Sequence, residues 1–352
     1  MRLSRLETAS ACTLVVLLYA GCYGESAPSV TLEDVPPATT AQLIGVSAAG
    51  SVVWVSGTSG TFGRSLDDGL TWHFGTVAGA DSLQFRDVHA IDSSRAFLLS
   101  IGPADQSRIY YTSDGGESWS RQWTNNEPDG FFDCFDFWDP LYGLAMGDAV
   151  RGRITMVRTV DGASWSPVDT LAIPPGGDEE GGFAASGTCL VVEEDSLAWV
   201  ATGSPEASRV YRTADRGQSW QVVEVPIVSD LEASGPMSLA FVSAERGFAA
   251  GGALSRPDDH HPNFAATVDR GATWELRGRP QLPNVYGIAA TPQAGGVVIL
   301  AVGPKGLDVT LDGGYTWQSV DKRNYWGVHF LNETLALAVG PRGRIVRISI
   351  EG

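Results

Sequence analysis

Short stretches of alternating apolar and polar residues, separated by turns, run along most of this chain. Residues 83–91, 96–101 and 108–113 show the pattern of three successive β-strands, and the same pattern recurs further along. The 42 glycines and 19 prolines supply frequent chain reversals, which suit many short strands better than long helices. The sequence therefore predicts an all-β protein.

A second pattern lies in the turns: Ser or Thr, Asp two residues later, then Gly, then Ser or Thr followed by Trp. Its six copies occupy residues 65–72, 112–119, 159–165, 213–220, 267–274 and 310–317. Successive tryptophans are 47, 46, 55, 54 and 43 residues apart. That spacing is the length of a four-stranded propeller blade, and it is too long for most helical repeats.

The repeated motif resembles the Asp-box, also called the bacterial neuraminidase repeat. Its Asp is suited to accept amide hydrogen bonds in a tight turn, its Gly to adopt a conformation costly for other residues, and its Trp to pack between sheets. The resemblance places the motif between the third and outer strands, away from the usual binding face. We therefore predict a structural role, without catalysis, for Asp67, Trp72, Asp114, Trp119, Asp161, Trp165, Asp215, Trp220, Asp269, Trp274, Asp312 and Trp317.

The last repeat is incomplete, which predicts how the ring closes. Residues 325–331, 335–339 and 344–350 supply three strands, but the chain ends before an outer strand or a motif. Residues 29–34 precede the first complete blade and can supply the missing strand, so that no sheet edge stays exposed. We predict a seven-bladed propeller over residues 29–352, after a short linker at 22–28.

The first residues have the layout of an export signal. Arg2 and Arg5 precede an apolar run over residues 9–20, which is short for a membrane span. Ala20 and Gly21 directly before Cys22 resemble a bacterial lipoprotein processing site, although Tyr19 replaces the usual Leu. We expect a signal peptide at 1–21 and lipidation at Cys22, with plain secretion as the alternative.

Two cysteines belong to the folded body. Cys134 and Cys189 fall at similar points of adjacent repeats, so a disulfide between them and two separate buried thiols are both open.

The charge restricts the partners. A formal net charge of −17 disfavours binding of nucleic acid through its phosphates, because that mode depends on Lys and Arg. We expect a monomer whose partner is a protein or a small ligand of the cell envelope, and which contacts the membrane through the N-terminal lipid alone.

Function is expected on the upper face, formed by the loops that enter the inner strands and those that join second to third strands. Two of these loops are long, at residues 167–188 and 253–263. Asp178, Glu180, Asp258 and His260 are weak candidates for a Ca²⁺ site, since they lack an established ligand spacing. Otherwise no cofactor is expected. Nine residues are candidates for ligand binding solely because their predicted positions lie near the mouth of the channel: Arg86, Asp133, Asp148, Arg151, Ser186, Ser238, Tyr286, Trp326 and His329.

Catalysis has little support in the sequence. A glycoside hydrolase needs two carboxyl groups that face one substrate, and Asp133 and Asp136 lie three apart on one strand, so they point to opposite faces. No zinc-protease motif, nucleophile elbow or phosphate-binding loop is present. We expect no catalytic residue, and a glycan-active propeller of the sialidase type is the alternative.

Segments outside the motif carry a second resemblance. Residues 131–138, 182–189, 238–241 and 247–252 are similar to bacterial relatives of the photosystem II stability and assembly factor family, and the likeness extends from about residue 42 to 350. It implies a seven-bladed, non-catalytic assembly scaffold. That family's photosystem role involves an arginine-rich face, which this acidic sequence does not show. We therefore predict an exported, lipid-anchored scaffold that binds a protein or ligand.

Overall fold

The structure is a computed structural model that describes residues 13–17, 29–177 and 179–351. The described residues form two short 3₁₀ turns, at Ala104–Gln106 and Thr170–Ala172, and many short strands. No described helix is long and apolar enough to cross a membrane.

The strands follow one another in chain order with short connections. They are β1 (Thr13–Leu17), β2 (Ser29–Val35), β3 (Leu43–Ala49), β4 (Val52–Gly57), β5 (Thr61–Ser65), β6 (His73–Thr76), β7 (Gln84–Ala90), β8 (Ala96–Ile101), β9 (Arg108–Thr112), β10 (Ser120–Thr124), β11 (Phe132–Asp139), β12 (Tyr142–Ala149), β13 (Ile154–Thr159), β14 (Trp165–Pro167), β15 (Leu190–Glu193), β16 (Leu197–Gly203), β17 (Ser208–Thr213), β18 (Gln221–Glu224), β19 (Ser234–Phe241), β20 (Gly247–Ala253), β21 (Phe264–Thr267), β22 (Glu275–Leu276), β23 (Gly287–Gln293), β24 (Gly296–Gly303), β25 (Gly306–Thr310), β26 (Gln318–Asp321), β27 (Gly327–Phe330), β28 (Leu335–Gly340) and β29 (Arg344–Glu351).

These strands build the predicted seven-bladed propeller. Six antiparallel sheets of four strands run from β3–β6 to β23–β26, and the seventh blade combines β27, β28 and β29 with β2. In that blade Ser29 pairs with Glu351 and Val35 with Ile345, so the N-terminal segment closes the ring as expected. The first strand of each blade lines the central channel.

One strand was not expected. β1, which falls within the predicted signal segment, pairs antiparallel with β2 and gives the closing blade a fifth strand. Its sequence, TLVVL, is rich in the β-branched and aliphatic residues that favour strands, and β2 otherwise presents an open sheet edge. Cys22 lies outside the described residues.

The connections define two faces. The Asp-box turns lie beside the hairpins that join first and second strands: Asp68 N donates to Ser51 O at 3.0 Å and Gly115 N to Ser94 O at 2.8 Å. We call this side the lower face. The upper face carries the loops between second and third strands and the connections from one blade to the next.

The Asp-box turns have the predicted hydrogen bonds. In the first copy the Thr71 amide and hydroxyl donate to the two oxygens of Asp67 at 2.8 and 2.6 Å, and Gly69 N donates to Ser65 Oγ at 2.9 Å. The tryptophans pack at the blade boundaries, where Trp119 lies edge-on against Trp54 of the preceding blade, 6.0 Å between centroids. None of the motif aspartates lines the channel.

These turns predict a loss of stability in acid. Hydrogen bonds lower the pKa to about 2 for four motif aspartates; the largest contribution comes from the Thr71 side chain for Asp67, the Ser118 side chain for Asp114, the Ser164 amide for Asp161 and the Thr273 side chain for Asp269. Because these folded-state values lie below the ordinary 3.8, their stabilisation is present above about pH 4 and is lost as the pH falls through about 2.

The test compares neighbouring residues in denaturant unfolding between pH 2 and pH 7. Asp67→Asn should cost about 1 kcal/mol at pH 7 and flatten the acid dependence, since it removes a hydrogen-bonded carboxylate. Asp68→Asn is the control, because Asp68 occupies a variable position of the motif and asparagine tolerates its positive φ of 55°. Equal acid profiles for the two variants would contradict the assignment.

The structure joins Cys134 and Cys189 by a disulfide. Both sulfurs are buried between the third and fourth blades, where they pack against Met146 and Leu190. The bond therefore links two neighbouring blades close to the channel.

Candidate functional site

The upper end of the channel is crossed by residues 181–188, which we call the strap. It belongs to the long connection between β14 and β15, and it is anchored at its start by Glu180. The Glu180 side chain is fully buried and accepts hydrogen bonds from Arg209 Nη1 and Thr202 Oγ1, both at 2.6 Å. Its oxygens are thus engaged in a structural ion pair.

A pair of carboxyl groups lies under the strap. Asp133 is 2% exposed, and burial raises its pKa well above the ordinary value. Burial also raises the pKa of Asp148 to about 6. The neighbouring charge of Asp148 is a further cause of the raised pKa of Asp133. The strap passes directly over both carboxyl groups: a Cβ at Gly182 would lie 3.1 Å from Asp133 Cγ, and one at Gly181 would clash with Asp148 Oδ1.

This pair should make the stability fall as the pH rises. The folded-state pKa of Asp148 lies above the ordinary 3.8, so its contribution is complete below about pH 4 and is lost as the pH rises through about 6. In Asp148→Asn, whose side chain is uncharged throughout, the fall in stability between pH 4 and pH 8 should become smaller by about 2 kcal/mol, and the part that remains comes from Asp133. Unfolding of both proteins in denaturant measures this; an unchanged profile in the variant would contradict it.

Beside the strap an aromatic and cationic cluster forms the upper surface. The Arg86 guanidinium lies over the Trp326 ring at 4.8 Å, and the Trp326 and Tyr286 rings meet edge-on at 5.0 Å. Arg86 Nη1 donates to Ala184 O at 2.7 Å, which ties the cluster to the strap. Arg86 forms no ion pair with a carboxylate in the described part of the chain.

A chain of hydroxyl groups fixes the end of the strap. Ser186 Oγ donates to Tyr286 O at 2.7 Å, Thr188 Oγ1 links Ser186 to Ser238, and Ser238 Oγ accepts from Ile288 N at 2.9 Å. Ser186 and Ser238 are buried. These two residues, nominated from the sequence as binding residues, therefore hold the strap across three blades.

Gly187 shows how closely the strap crosses the channel. Its φ is +85°, and a Cβ at this position would lie 2.2 Å from Asp87 Oδ1. Only glycine combines this backbone conformation with such an approach to the second blade.

The remaining nominated residues lie apart from this cluster. Arg151 is on the upper face, where its side chain is 79% exposed and pairs with Glu127 at 3.4 Å. His329, which was expected at the upper mouth, lies instead lower in the channel on β27.

The residues considered for metal binding are separated by their contacts. Asp258 pairs with Lys305 at 2.7 Å, His260 is exposed, and Asp178 lies outside the described residues. Where the chain is described, no group of three or more His, Cys, Asp or Glu side chains could hold a metal ion.

Sequence reasoning missed a pair of polar side chains in the channel. His89 Nδ1 lies 3.1 Å from Asp136 Oδ1, across two blades, and both residues line the channel. Irregular pairing between Phe85 and Asp87, and between Phe132 and Cys134, breaks strict alternation in the two inner strands. Periodicity therefore gave no signal for this pair.

The fold and the turns together define a seven-bladed Asp-box propeller with a strapped upper face. A repeat model described as the BNR/Asp-box repeat matches residues 110–121. A comparison with curated proteins finds no match.

Solved structures share this architecture. YCF48 from Cyanidioschyzon merolae is 14% identical with a TM-score of 0.63, covering 90% of this chain and 98% of that one. A structure titled "YCF48 bound to D1 peptide" is 17% identical with a TM-score of 0.63, covering 91% and 95%. The WD40 repeats of RRP9 are 9% identical with a TM-score of 0.59, covering 91% and 97%. At these identities the likeness shows the fold alone.

Proposed function

We propose that this protein is an exported, lipid-anchored and non-catalytic propeller whose upper face binds a segment of a protein partner. The observation that carries the proposal is the cluster of Arg86, Trp326 and Tyr286 beside the strap. Tryptophan, tyrosine and arginine are the residues most enriched at the energetic centres of protein interfaces. The YCF48 structure with a bound D1 peptide supports the same use of this architecture.

Unpaired donors in the cluster favour the same conclusion. Arg86 Nε and Trp326 Nε1 are buried and have no hydrogen-bond partner among the described residues. A partner that offers carbonyl or carboxylate oxygens would satisfy these donors after a small side-chain movement. The aromatic rings would supply the apolar contact that a bound segment needs.

The carboxyl groups of the upper face do not suit glycoside hydrolysis. Such enzymes hold their two carboxyl groups roughly 5–9 Å apart, with substrate between them. Asp133 is 2% exposed beneath the strap, and burial raises its pKa well above the ordinary value, so it does not face a bound substrate. The glycan-active propeller therefore stays the second candidate, and its only support is that binding scaffolds and glycan-active enzymes can share this fold.

Site-specific crosslinking in the host tests the proposal. A photo-crosslinking residue is placed at Arg151 on the upper face or at Val268 on the lower face, where the side chains are 79% and 65% exposed. We expect a defined protein adduct from position 151 that Trp326→Ala and Arg86→Gln abolish. Adducts only from position 268, or turnover of a glycoside panel by the purified protein, would overturn the proposal.

Anchoring is tested separately. Cys22→Ser should move the protein from the membrane fraction to the soluble fraction and abolish incorporation of labelled palmitate. If Cys22→Ser stays in the membrane fraction, the lipid anchor is contradicted. The proposed binding face is tested independently by the crosslinking experiment.

A further inference from the structure

The central channel holds a cavity of about 240 Å³ below the strap. All seven inner blade strands contribute to its wall, and Ser186, Gly187 and Thr188 of the strap close its upper end. The cavity is separate from the surface cluster of Arg86, Trp326 and Tyr286, none of which lines it.

Burial along the inner strands shows where the cavity opens. On β27, Val328 is buried whereas His329 and Phe330 are partly exposed; on β23, Ile288 is buried whereas Ala290 is partly exposed. Each of these strands runs from the upper to the lower face. Exposure therefore increases towards the Asp-box turns, and the cavity opens on the lower face.

The upper part of the wall is mainly aliphatic, and its polar groups, Asp87 and the strap residues Ser186 and Thr188, are already hydrogen-bonded within the protein. Val88, Leu190, Leu239, Ile288 and Val328 surround the buried end. Towards the opening the wall carries two imidazoles and the Asp136 side chain, and no Lys or Arg belongs to the described lining.

The His329 imidazole presents an acceptor to this space. Asp136 Oδ1 lies 3.1 Å from His89 Nδ1, so the two side chains form one polar pair on the wall. Burial lowers the pKa of His329 to about 4, so this ring is neutral near pH 7 and carries an acceptor nitrogen. Asp136 Oδ2 accepts from Val192 N at 3.0 Å, which fixes the carboxylate at the opening.

We propose that this channel cavity is a binding site for a small aryl-alkyl ammonium compound, which enters through the Asp-box face. The aromatic ring packs against the aliphatic side chains of the upper part. The ammonium group donates a hydrogen bond to the His329 imidazole and lies within the field of Asp136. This function is independent of the protein-binding upper face.

The size of the cavity agrees with this ligand class. An apolar protein cavity of roughly 150 Å³ already accommodates benzene, and the channel cavity has about 240 Å³. A benzene ring with a short amine chain therefore fits. An anionic head group would instead face a carboxylate without a compensating cation in the described lining.

Calorimetric titration of the full-length protein with three matched probes tests the site. Benzylamine, benzyl alcohol and benzoate share one ring and differ in the charge of the head group. We expect benzylamine to bind most tightly, benzyl alcohol more weakly and benzoate least. Absence of benzylamine binding, or tighter binding of benzoate, would overturn the proposal.

Two variants locate the bound probe. His329→Leu keeps an apolar side chain of similar size and should weaken benzylamine about tenfold or more, since a hydrogen bond to a charged group is lost. His73→Leu, an exposed position on β6, is the matched control and should bind as the wild type does. Equal affinity of all three proteins would mean that the amine binds elsewhere on the acidic surface and would overturn the site.

The route of entry has its own test. Ala290→Phe narrows the lower opening and should slow or abolish benzylamine binding, with circular dichroism and the unfolding midpoint confirming that the variant folds. Asp148→Asn, which alters the strap contacts at the upper end, should leave the association rate unchanged. If only Asp148→Asn changes the rate, the ligand enters from above and the proposed route is wrong.

Discussion

Removing the disulfide between Cys134 and Cys189 should lower the free energy of unfolding by about 2–4 kcal/mol. The bond closes a loop with a sequence separation of 55 residues, so it restricts the unfolded chain considerably. It also joins the third and fourth blades, whose contact must form before the ring can close. If the protein is exported, as proposed, the oxidising surroundings allow the bond to form and persist.

Denaturant unfolding measures this contribution with two preparations. The Cys134→Ala, Cys189→Ala variant removes the bond and also leaves small cavities in a buried cluster. The wild type under strong reductant removes the bond alone, and the double variant under the same reductant controls for other effects of the reagent. A wild-type midpoint that reductant leaves unchanged would contradict the prediction.

The repeat was predictable from sequence because each turn is built from local contacts. Asp67 forms hydrogen bonds with Thr71 and Ser65, and all three residues lie within one short turn. The structural role of the motif can therefore be inferred from the local sequence. The closing strand was predictable for a different reason. A final blade that lacks an outer strand leaves an exposed sheet edge. Residues 29–34 alternate between apolar and polar side chains, as expected of a strand that covers this edge.

The upper face was harder to predict because its contacts are long-range. Arg86 bonds to Ala184, 98 residues away, and Ser186 bonds to Tyr286, 100 residues away. These residues were predicted only from their position near the channel mouth. Ser186 and Ser238 hold the strap because the connection between β14 and β15 follows a path across the channel. Nothing in the local pattern of residues 167–188 shows that the segment crosses the channel.

The channel pair of His89 and Asp136 was missed because irregular strand pairing changes which side chains point inward. Strict alternation assigns Arg86 and Val88 to one side of β7, yet Val88 lines the cavity and Arg86 lies on the upper surface. The irregularity between Phe85 and Asp87 is a backbone feature that depends on the partner strand. Sequence analysis thus located the upper face more readily than the space beneath it.

Closure of the ring by β2 should contribute strongly to stability. Leu32 is 2% exposed and belongs to the same apolar cluster as Ile348 and Val346 of β29. Leu32→Ala should therefore lower the free energy of unfolding by about 2–5 kcal/mol, since it leaves a cavity in the closing blade. The adjacent Glu33 is exposed on the same strand, so Glu33→Gln should change stability by less than about 0.5 kcal/mol.

This pair of variants separates closure from a loosely attached terminal segment. If β2 completes the seventh blade, loss of its buried side chain weakens the contact between the two ends of the chain, and the whole propeller unfolds in one transition at lower denaturant. If β2 were only an accessory strand, Leu32→Ala would behave like Glu33→Gln. Chemical denaturation followed by tryptophan fluorescence distinguishes the two, because the Trp residues report on blades all around the ring.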